Sequence, residues 1–172
     1  MDTKFKSAAL NEDRRIIVEL PPGYNDSTQR RYPILILLHG YGGCKDPDPE
    51  WEDWGIIDDL TLLITQGTIQ PMIVALPDGF MADCQPSYWF NHGPGTDGKK
   101  WGDYVSSDVV NFLDANYRTV KKKESRAIGG YSLGGQGALE LSLLHPDIFK
   151  VVGAHSPSFR GADGSIAFIN DW

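Results

Sequence analysis

The sequence predicts a single α/β domain, residues 1–172, whose sheet is largely parallel. Two continuous apolar runs, at 34–38 and 72–76, are typical of strands that are buried on both faces of such a sheet. After them, strand and helix patterns alternate along the chain, as they do in repeated strand–helix units. With 172 residues, 41% of them hydrophobic, the chain is long enough to bury a sizeable core in one domain.

Each element is placed by its hydrophobic period and by the Gly or Pro residues that end it. No repeat or linker interrupts the series. The expected elements are strands at about 14–20 and 34–38, a helix at about 56–66, a strand at 72–76, a loop rich in Gly, Pro and aromatic residues to about 102, a helix at about 103–116, a strand at 127–131, a helix to Leu144 and a strand at 151–154.

The charge pattern argues against two classes of partner. The net charge is −7, and the one basic run, Lys121-Lys122-Lys123, falls in a loop between a helix and a strand. We therefore expect no nucleic-acid partner, because phosphate binding needs clustered Lys and Arg. We also expect no membrane partner, since no apolar run is long enough to cross a bilayer. Residues 1–6 lack the apolar core of a signal peptide, so a cytoplasmic protein and the mature form of a secreted one are both compatible.

We expect neither a metal site nor a cofactor. The acidic stretch 46–53 lacks the glycine and the spaced terminal Glu of an EF-hand, so we interpret it as a solvated loop. The two cysteines, Cys44 and Cys84, are too few for a disulfide scaffold and have no metal-binding spacing. They are either free thiols or one disulfide. Since both follow buried strands that we expect to be neighbours, they should lie closer together than their sequence separation suggests.

The motif Gly130-Tyr131-Ser132-Leu133-Gly134 lies where a strand is expected to turn into a helix. Glycines on both sides of Ser132 remove the Cβ clashes of a sharp turn, so the serine can be held in a strained, exposed backbone conformation. In that position a weakly nucleophilic hydroxyl is presented to a substrate. The motif alone is unspecific, but its place between a strand and a helix makes Ser132 a candidate nucleophile.

A second glycine-rich segment, 39–43, follows the buried strand at 34–38. The carboxyl ends of parallel strands meet at one edge of a sheet, so this segment and Ser132 are expected to share one crevice. The segment then offers a backbone N–H towards Ser132, and Leu133 offers a second. Two such donors stabilise the oxyanion of an acyl-transfer intermediate.

Together these motifs resemble the esterase family of α/β-hydrolases, which includes feruloyl and acetyl xylan esterases, S-formylglutathione hydrolases and mycolyltransferases. The resemblance covers about residues 14–157. It implies the α/β-hydrolase fold and hydrolysis of carboxylic esters, with Ser132 as nucleophile and the N–H groups of Tyr41 and Leu133 as oxyanion donors. The matching segments are 20–24, 37–43, 77–79, 130–135, 145–149 and 153–157.

The chain departs from the family at the rest of the catalytic triad. In α/β-hydrolases the acid and then the histidine follow the serine on later strands, whereas only residues 133–172 follow Ser132 here. We therefore expect the N-terminal two-thirds of a catalytic domain, with the C-terminal part of the fold, the triad acid and the triad histidine absent from this chain. A serine hydroxyl without a base is a poor nucleophile.

Four histidines and one tryptophan are candidates for other roles near the crevice. His39 is expected to shape the oxyanion loop. His92 and Trp89 belong to the aromatic loop, which either places them on the substrate side or caps the core. His155 ends the strand beside that of the nucleophile, so it could lie near the crevice. His145, close to a helix end, is expected at the surface.

Three functions are compatible with these observations. The leading one is a serine carboxylic-ester hydrolase of the feruloyl or acetyl type, acting on a small-molecule or glycan-linked ester. The alternatives are a catalytically dead short form that acts through assembly or binding, and an acyltransferase on the same scaffold. Because a strand at 151–154 would leave an open sheet edge, we expect a C-terminal fragment or a second copy of the chain to cover it.

Overall fold

A computed structural model describes residues 1–41, 50–82, 84–94 and 96–159, which include one six-stranded mixed sheet in the order β1-β2-β4-β3-β5-β6. β1 and β2 form an antiparallel hairpin, and β2 also runs antiparallel to β4. The pairs β3–β4, β3–β5 and β5–β6 are parallel, as expected. The strands are β1 (Asp2–Ser7), β2 (Glu12–Glu19), β3 (Ile34–Leu38), β4 (Ile73–Pro77), β5 (Arg126–Tyr131) and β6 (Val151–His155).

In the described ranges, five α-helices lie between these strands. A π-helical turn at Tyr104–Val109 joins the third helix to the fourth, and short 3-10 turns lie at Tyr24–Asp26 and Lys123–Ser125. Within the described ranges, every helix is too short or too polar to cross a membrane. The helices are α1 (Glu50–Asp53), α2 (Ile56–Thr65), α3 (Trp101–Asp103), α4 (Val110–Asn116) and α5 (Leu133–Leu144).

The sheet separates two apolar cores, which explains why its central strands are apolar throughout. Alternate residues of a strand point to opposite faces. Ile36 and Leu38 of β3 therefore pack in the larger core with Leu113 of α4 and Leu141 of α5. Leu37 points the other way, into a smaller core that α2 covers. Helices on both faces of the sheet are the arrangement that the sequence predicts.

β1 is the element that the sequence analysis missed. Its residues are mostly exposed and include Lys4 and Lys6, so no apolar pattern marks it as a strand. It is held by six residue pairs with β2 and by Phe5, whose ring stacks on Phe112 with 4.5 Å between the centroids. The strand thus depends on its partner rather than on its own composition.

β6 is an open edge of the sheet in the part of the chain that the structure describes. Its residues are exposed, and Val151 and Val152 keep 57% and 40% of their accessible surface. A shallow apolar depression of about 420 Å³ lies over β3, β5 and β6, next to Trp51. Gly129 and Gly153, which pair in register, leave its floor without side chains. The expected open edge at 151–154 is therefore present.

Two glycines bring α5 into contact with the end of β3. A Cβ on Gly134 would overlap the carbonyl oxygen of Leu38 and lie 2.6 Å from the carbonyl oxygen of His39. A Cβ on Gly130 would overlap Gly134 and lie 2.8 Å from the same Leu38 oxygen. Only residues without a side chain allow this approach, since real Cβ atoms do not come so close to backbone. The start of α5 is thereby fixed beside the loop that follows β3.

We expect Gly134→Ala to lower the free energy of unfolding by about 2–3 kcal/mol in urea denaturation, because its methyl group meets backbone that cannot swing away. Gly153→Ala is the matched control, since a Cβ there meets nothing within 4 Å. The control should change the free energy of unfolding by less than about 0.5 kcal/mol. Similar losses in both variants would contradict a tight contact between α5 and β3.

Candidate active site

Ser132 has the strained backbone that the sequence predicts. It lies between β5 and α5 with φ 53° and ψ −118°, a region that a residue with a side chain rarely adopts. Three backbone hydrogen bonds hold it there. Ser132 N–H donates to His155 O at 3.0 Å, and Ser132 O accepts from Gln136 N–H and Ser158 N–H, each at 3.0 Å. The residue is therefore fixed by α5 and by both ends of the turn after β6.

The loop after β3 emerges beside Ser132. Leu38 pairs with Gly130 in the parallel register, so the residues that follow the two strands lie at the same sheet edge. Leu133 is the first residue of α5, and its N–H has no acceptor within the helix. Tyr41 is exposed to 60%. Tyr41 and Leu133 thus follow β3 and β5 at the same edge of the sheet, while Gly42 and Gly43 lie outside the described residues.

His39 holds this loop with both ring nitrogens. Nε2 accepts the N–H of Gly79, and Nδ1 contacts the carbonyl oxygen of Gly40, each at 2.9 Å. The donor at Gly79 makes Nε2 the acceptor, so the proton is assigned to Nδ1. The ring is 3% exposed and stacks on Phe80 with centroids 4.3 Å apart. The His39 ring therefore joins the loop after β3 to the turn after β4.

Arg14 is a supporting residue that the sequence analysis missed. From β2, its Nη2 donates to the carbonyl oxygens of Asp78 and Phe80 at 2.9 and 2.8 Å and to the Asp78 carboxylate at 2.7 Å. These bonds fix the turn after β4. Gly79 in that turn donates its N–H to His39 Nε2. An arginine within an ordinary strand pattern gives no local signal of this role.

Trp89 and His92, for which the sequence leaves a substrate-side and a core position open, both lie inside the protein. Trp89 is 2% exposed and donates its Nε1–H to the carbonyl oxygen of His39 at 3.0 Å. His92 is 6% exposed, and its Nε2 contacts the carbonyl oxygen of Ser87 at 2.8 Å while its Nδ1 contacts the carboxylate of Asp97. Through these contacts both side chains support the aromatic loop.

The carboxylate of Asp97 joins several of the residues that support the aromatic loop. It accepts from Trp101 Nε1 at 3.0 Å and from Lys99 N–H at 2.9 Å, in addition to His92. Burial by itself raises the pKa of Asp97, but these hydrogen bonds outweigh burial and hold the pKa below its ordinary value. The ionised carboxylate is therefore the form that stabilises the loop.

The two remaining histidines lie at the surface of the described part. The backbone of His155 accepts from Ser132, and its side chain is exposed next to the depression. His145 ends α5, where its N–H donates to Leu141 O at 2.9 Å. The Ser132 side chain makes no capping hydrogen bond, and no described histidine donates to or accepts from its hydroxyl.

Two other predictions fall partly outside the described residues. Cys84 is disulfide-bonded, and Cys44, the other cysteine of the chain, lies outside the described residues. The acidic stretch 46–53, interpreted as a loop, is described only from residue 50, where α1 begins, so its last four residues are helical. Among the described residues, no three His, Cys, Asp or Glu side chains are grouped as metal ligands.

Solved structures share this arrangement of sheet, turn and helix. A ferulic acid esterase matches 95% of the chain with a TM-score of 0.82 and 26% identity. An S-formylglutathione hydrolase from Agrobacterium tumefaciens matches 92% with a TM-score of 0.72 and 18% identity. The fold is therefore that of the α/β-hydrolase esterases. The chain covers 62% and 58% of those two chains.

A family model described as "Putative esterase" matches residues 7–165, and the chain belongs to that esterase family. An esterase of Mycobacterium tuberculosis is 30% identical over 159 residues, which are 89% of this chain and 31% of the relative. An endo-1,4-beta-xylanase/feruloyl esterase of Xylanibacter ruminicola is 30% identical over 148 residues, 84% of this chain and 20% of the relative. The chain thus spans less than a third of the length of these curated relatives.

We expect Asp97→Asn to reveal the stabilisation that the ionised carboxylate provides. Because the folded-state pKa of Asp97 is lowered, the stabilisation is present above the unfolded-state pKa and is lost as the pH falls through the folded-state value. At pH 7 the variant should lose about 1–2 kcal/mol of unfolding free energy, and the gap should close below about pH 4. Urea denaturation of the variant and of the unmodified chain from pH 3 to 7 measures the loss at pH 7 and its decrease at low pH.

The matched control is Asp147→Asn, since Asp147 is exposed and makes no side-chain hydrogen bond among the described residues. Its stability should follow that of the unmodified chain at every pH. A gap for Asp97→Asn that does not change with pH would contradict the role of the charged carboxylate.

Proposed function

We propose that this chain carries the nucleophile and the oxyanion-binding groups of a serine carboxylic-ester hydrolase of the feruloyl or acetyl esterase type. The observation that carries the proposal is the backbone of Ser132, with φ 53° and ψ −118° at a strand–helix turn. Such strain persists only where the surrounding structure imposes it, and it concentrates at active sites. The likeness to a ferulic acid esterase supports the substrate class.

The proposed reaction passes through an acyl-enzyme. Ser132 Oγ attacks the ester carbonyl carbon, its proton passes to a base, and the carbonyl oxygen becomes an oxyanion. The N–H groups of Leu133 and Tyr41 donate to that oxyanion, and the positive end of α5 adds to its stabilisation. The C–O bond then breaks, the alcohol leaves with a proton, and water hydrolyses the acyl-serine to the carboxylic acid.

The base and the acid that orients it are proposed to come from polypeptide that this sequence does not include. His39 and His92 engage both ring nitrogens in structural contacts, and the Ser132 hydroxyl has no histidine partner among the described residues. The oxyanion donors and substrate binding then account for the activity that remains, which in triad-deleted hydrolases is about 10³–10⁴-fold over water.

Labelling with a fluorophosphonate probe, located by mass spectrometry, tests the nucleophile. We expect slow labelling of Ser132 and slow hydrolysis of p-nitrophenyl acetate and methyl ferulate, both lost in Ser132→Ala. Ser142→Ala is the control on the same helix, because its hydroxyl donates to Leu139 O and lies away from the turn. Labelling that persists in Ser132→Ala would place the nucleophile elsewhere.

We also propose that a second polypeptide covers the open edge at β6, and we favour a C-terminal fragment of the same domain over a second copy. The exposed backbone of an edge strand pairs readily with another strand, and exposed apolar side chains add to the gain on burial. Val151 and the depression beside it provide such a surface. The same fragment is the proposed source of the base.

Intact mass, a denaturing gel and sedimentation of the purified protein test this association. A C-terminal fragment should appear as a second band of roughly 10 kDa, a size taken from ordinary domain lengths. A second copy should give a species of twice the 19.1 kDa chain. Val151→Lys should weaken either association, whereas Leu143→Lys, a change of an exposed residue on α5, should not. A single 19.1 kDa species at working concentration would contradict the proposal.

A further inference from the structure

Trp89 contacts three elements of the candidate active site at once. A Cβ on Gly137, in the second turn of α5, would lie 2.6 Å from Trp89 Cβ, and a Cβ on Gly79, after β4, would overlap the far edge of the indole. The Nε1–H donates to the carbonyl oxygen of His39 at 3.0 Å. The side chain therefore touches the nucleophile helix, the turn after β4 and the loop after β3, although it is 2% exposed.

The backbone at Tyr88 and Trp89 is strained, and the indole of Trp89 is buried. Tyr88 and Trp89 have φ of 57° and 65°, values that are unfavourable for consecutive aromatic residues. Ser87 holds the strained pair, since its Oγ accepts from Trp89 N–H at 3.3 Å and its N–H donates to Gly79 O at 3.0 Å. Nε2 of His92 in turn contacts Ser87 O at 2.8 Å. Surrounding contacts therefore impose this conformation on the loop.

The partner of Trp89 is the residue that shapes the oxyanion loop. The His39 ring meets the indole edge-on, with 4.7 Å between the centroids, and contacts Gly40 through Nδ1. A shift of Trp89 would therefore move the loop of Tyr41 relative to the helix of Leu133. The two proposed oxyanion donors lie on those two separate elements.

We propose that Trp89 is a positioning residue for acyl transfer, which keeps the loop after β3 and the start of α5 at the spacing that both oxyanion donors require. This inference rests on the proposed esterase function. Trp89 touches no reacting atom, so its effect passes through His39 and Gly137. An error of about 1 Å in such a spacing costs about 10²-fold in rate, because the donors then miss the oxyanion.

Paired variants separate this role from ordinary packing. Trp89→Phe removes the Nε1–H donor and part of the ring. Tyr24→Leu is the control, since Tyr24 is 8% exposed and its hydroxyl oxygen accepts the N–H of Arg118 at 3.0 Å. Its ring contacts are with Tyr32 and Arg118, which belong neither to the oxyanion loop nor to α5.

With p-nitrophenyl acetate we expect Trp89→Phe to lower kcat by about tenfold or more with little change in KM, since the donors act on the transition state. Tyr24→Leu should also lower the melting temperature but leave kcat within about twofold. If Trp89→Phe does not fold, Gly137→Ala replaces it, because its methyl group presses on Trp89 while alanine favours the helix. Equal losses of kcat in the Trp89 and Tyr24 variants would overturn the inference.

A chain without Ser132-dependent turnover would contradict the proposed function but not yet this inference. The backbone amide signals of Gly40 and Leu133 in ¹H–¹⁵N NMR spectra then test whether Trp89 positions the loop after β3 and the start of α5. Both should shift in Trp89→Phe and stay in place in Tyr24→Leu. Unchanged signals in Trp89→Phe would overturn the positioning role whatever the activity.

Discussion

The candidate active site depends on one steric constraint, the contact between the start of α5 and the backbone at the end of β3. Gly130 and Gly134 make it possible, because a Cβ on either would overlap backbone atoms. A chain that leaves β5 and enters a helix this close to β3 has to turn sharply, which accounts for the positive φ of Ser132. The conformation of the serine thus follows from sheet–helix packing rather than from the serine itself.

Hydrogen bonds with the end of β6 and with the residues just after it offset the backbone strain at Ser132. Such a conformation costs about 1–3 kcal/mol, while a backbone hydrogen bond contributes about 1 kcal/mol. His155 O and Ser158 N–H, at the end of β6 and just beyond it, make two of the three bonds. Any segment that pairs with β6 would therefore also steady Ser132, so pairing at this edge and the backbone geometry of Ser132 are physically linked.

The sequence predicts those features that a local pattern determines. The apolar runs place β3 and β4 to within a residue, and the flanking glycines predict the strained turn at Ser132. β1 has no such pattern, because pairing with β2 holds it. The sequence leaves the burial of Trp89 and His92 open, since it depends on glycines and a carboxylate elsewhere in the fold. An aromatic loop looks the same in sequence whether its rings face a substrate or a core.

Two of the histidines, His39 and His92, hold loops rather than contact Ser132. Each uses both ring nitrogens in those contacts, so neither has a nitrogen directed at the Ser132 hydroxyl. What the described residues supply at Ser132 is a strained, fixed backbone at the start of α5, beside the loop after β3. These features follow from backbone geometry and packing. A proton acceptor for Ser132 would in addition need a ring nitrogen or carboxylate within hydrogen-bond reach of the hydroxyl, which is a property of side-chain placement that no described histidine meets.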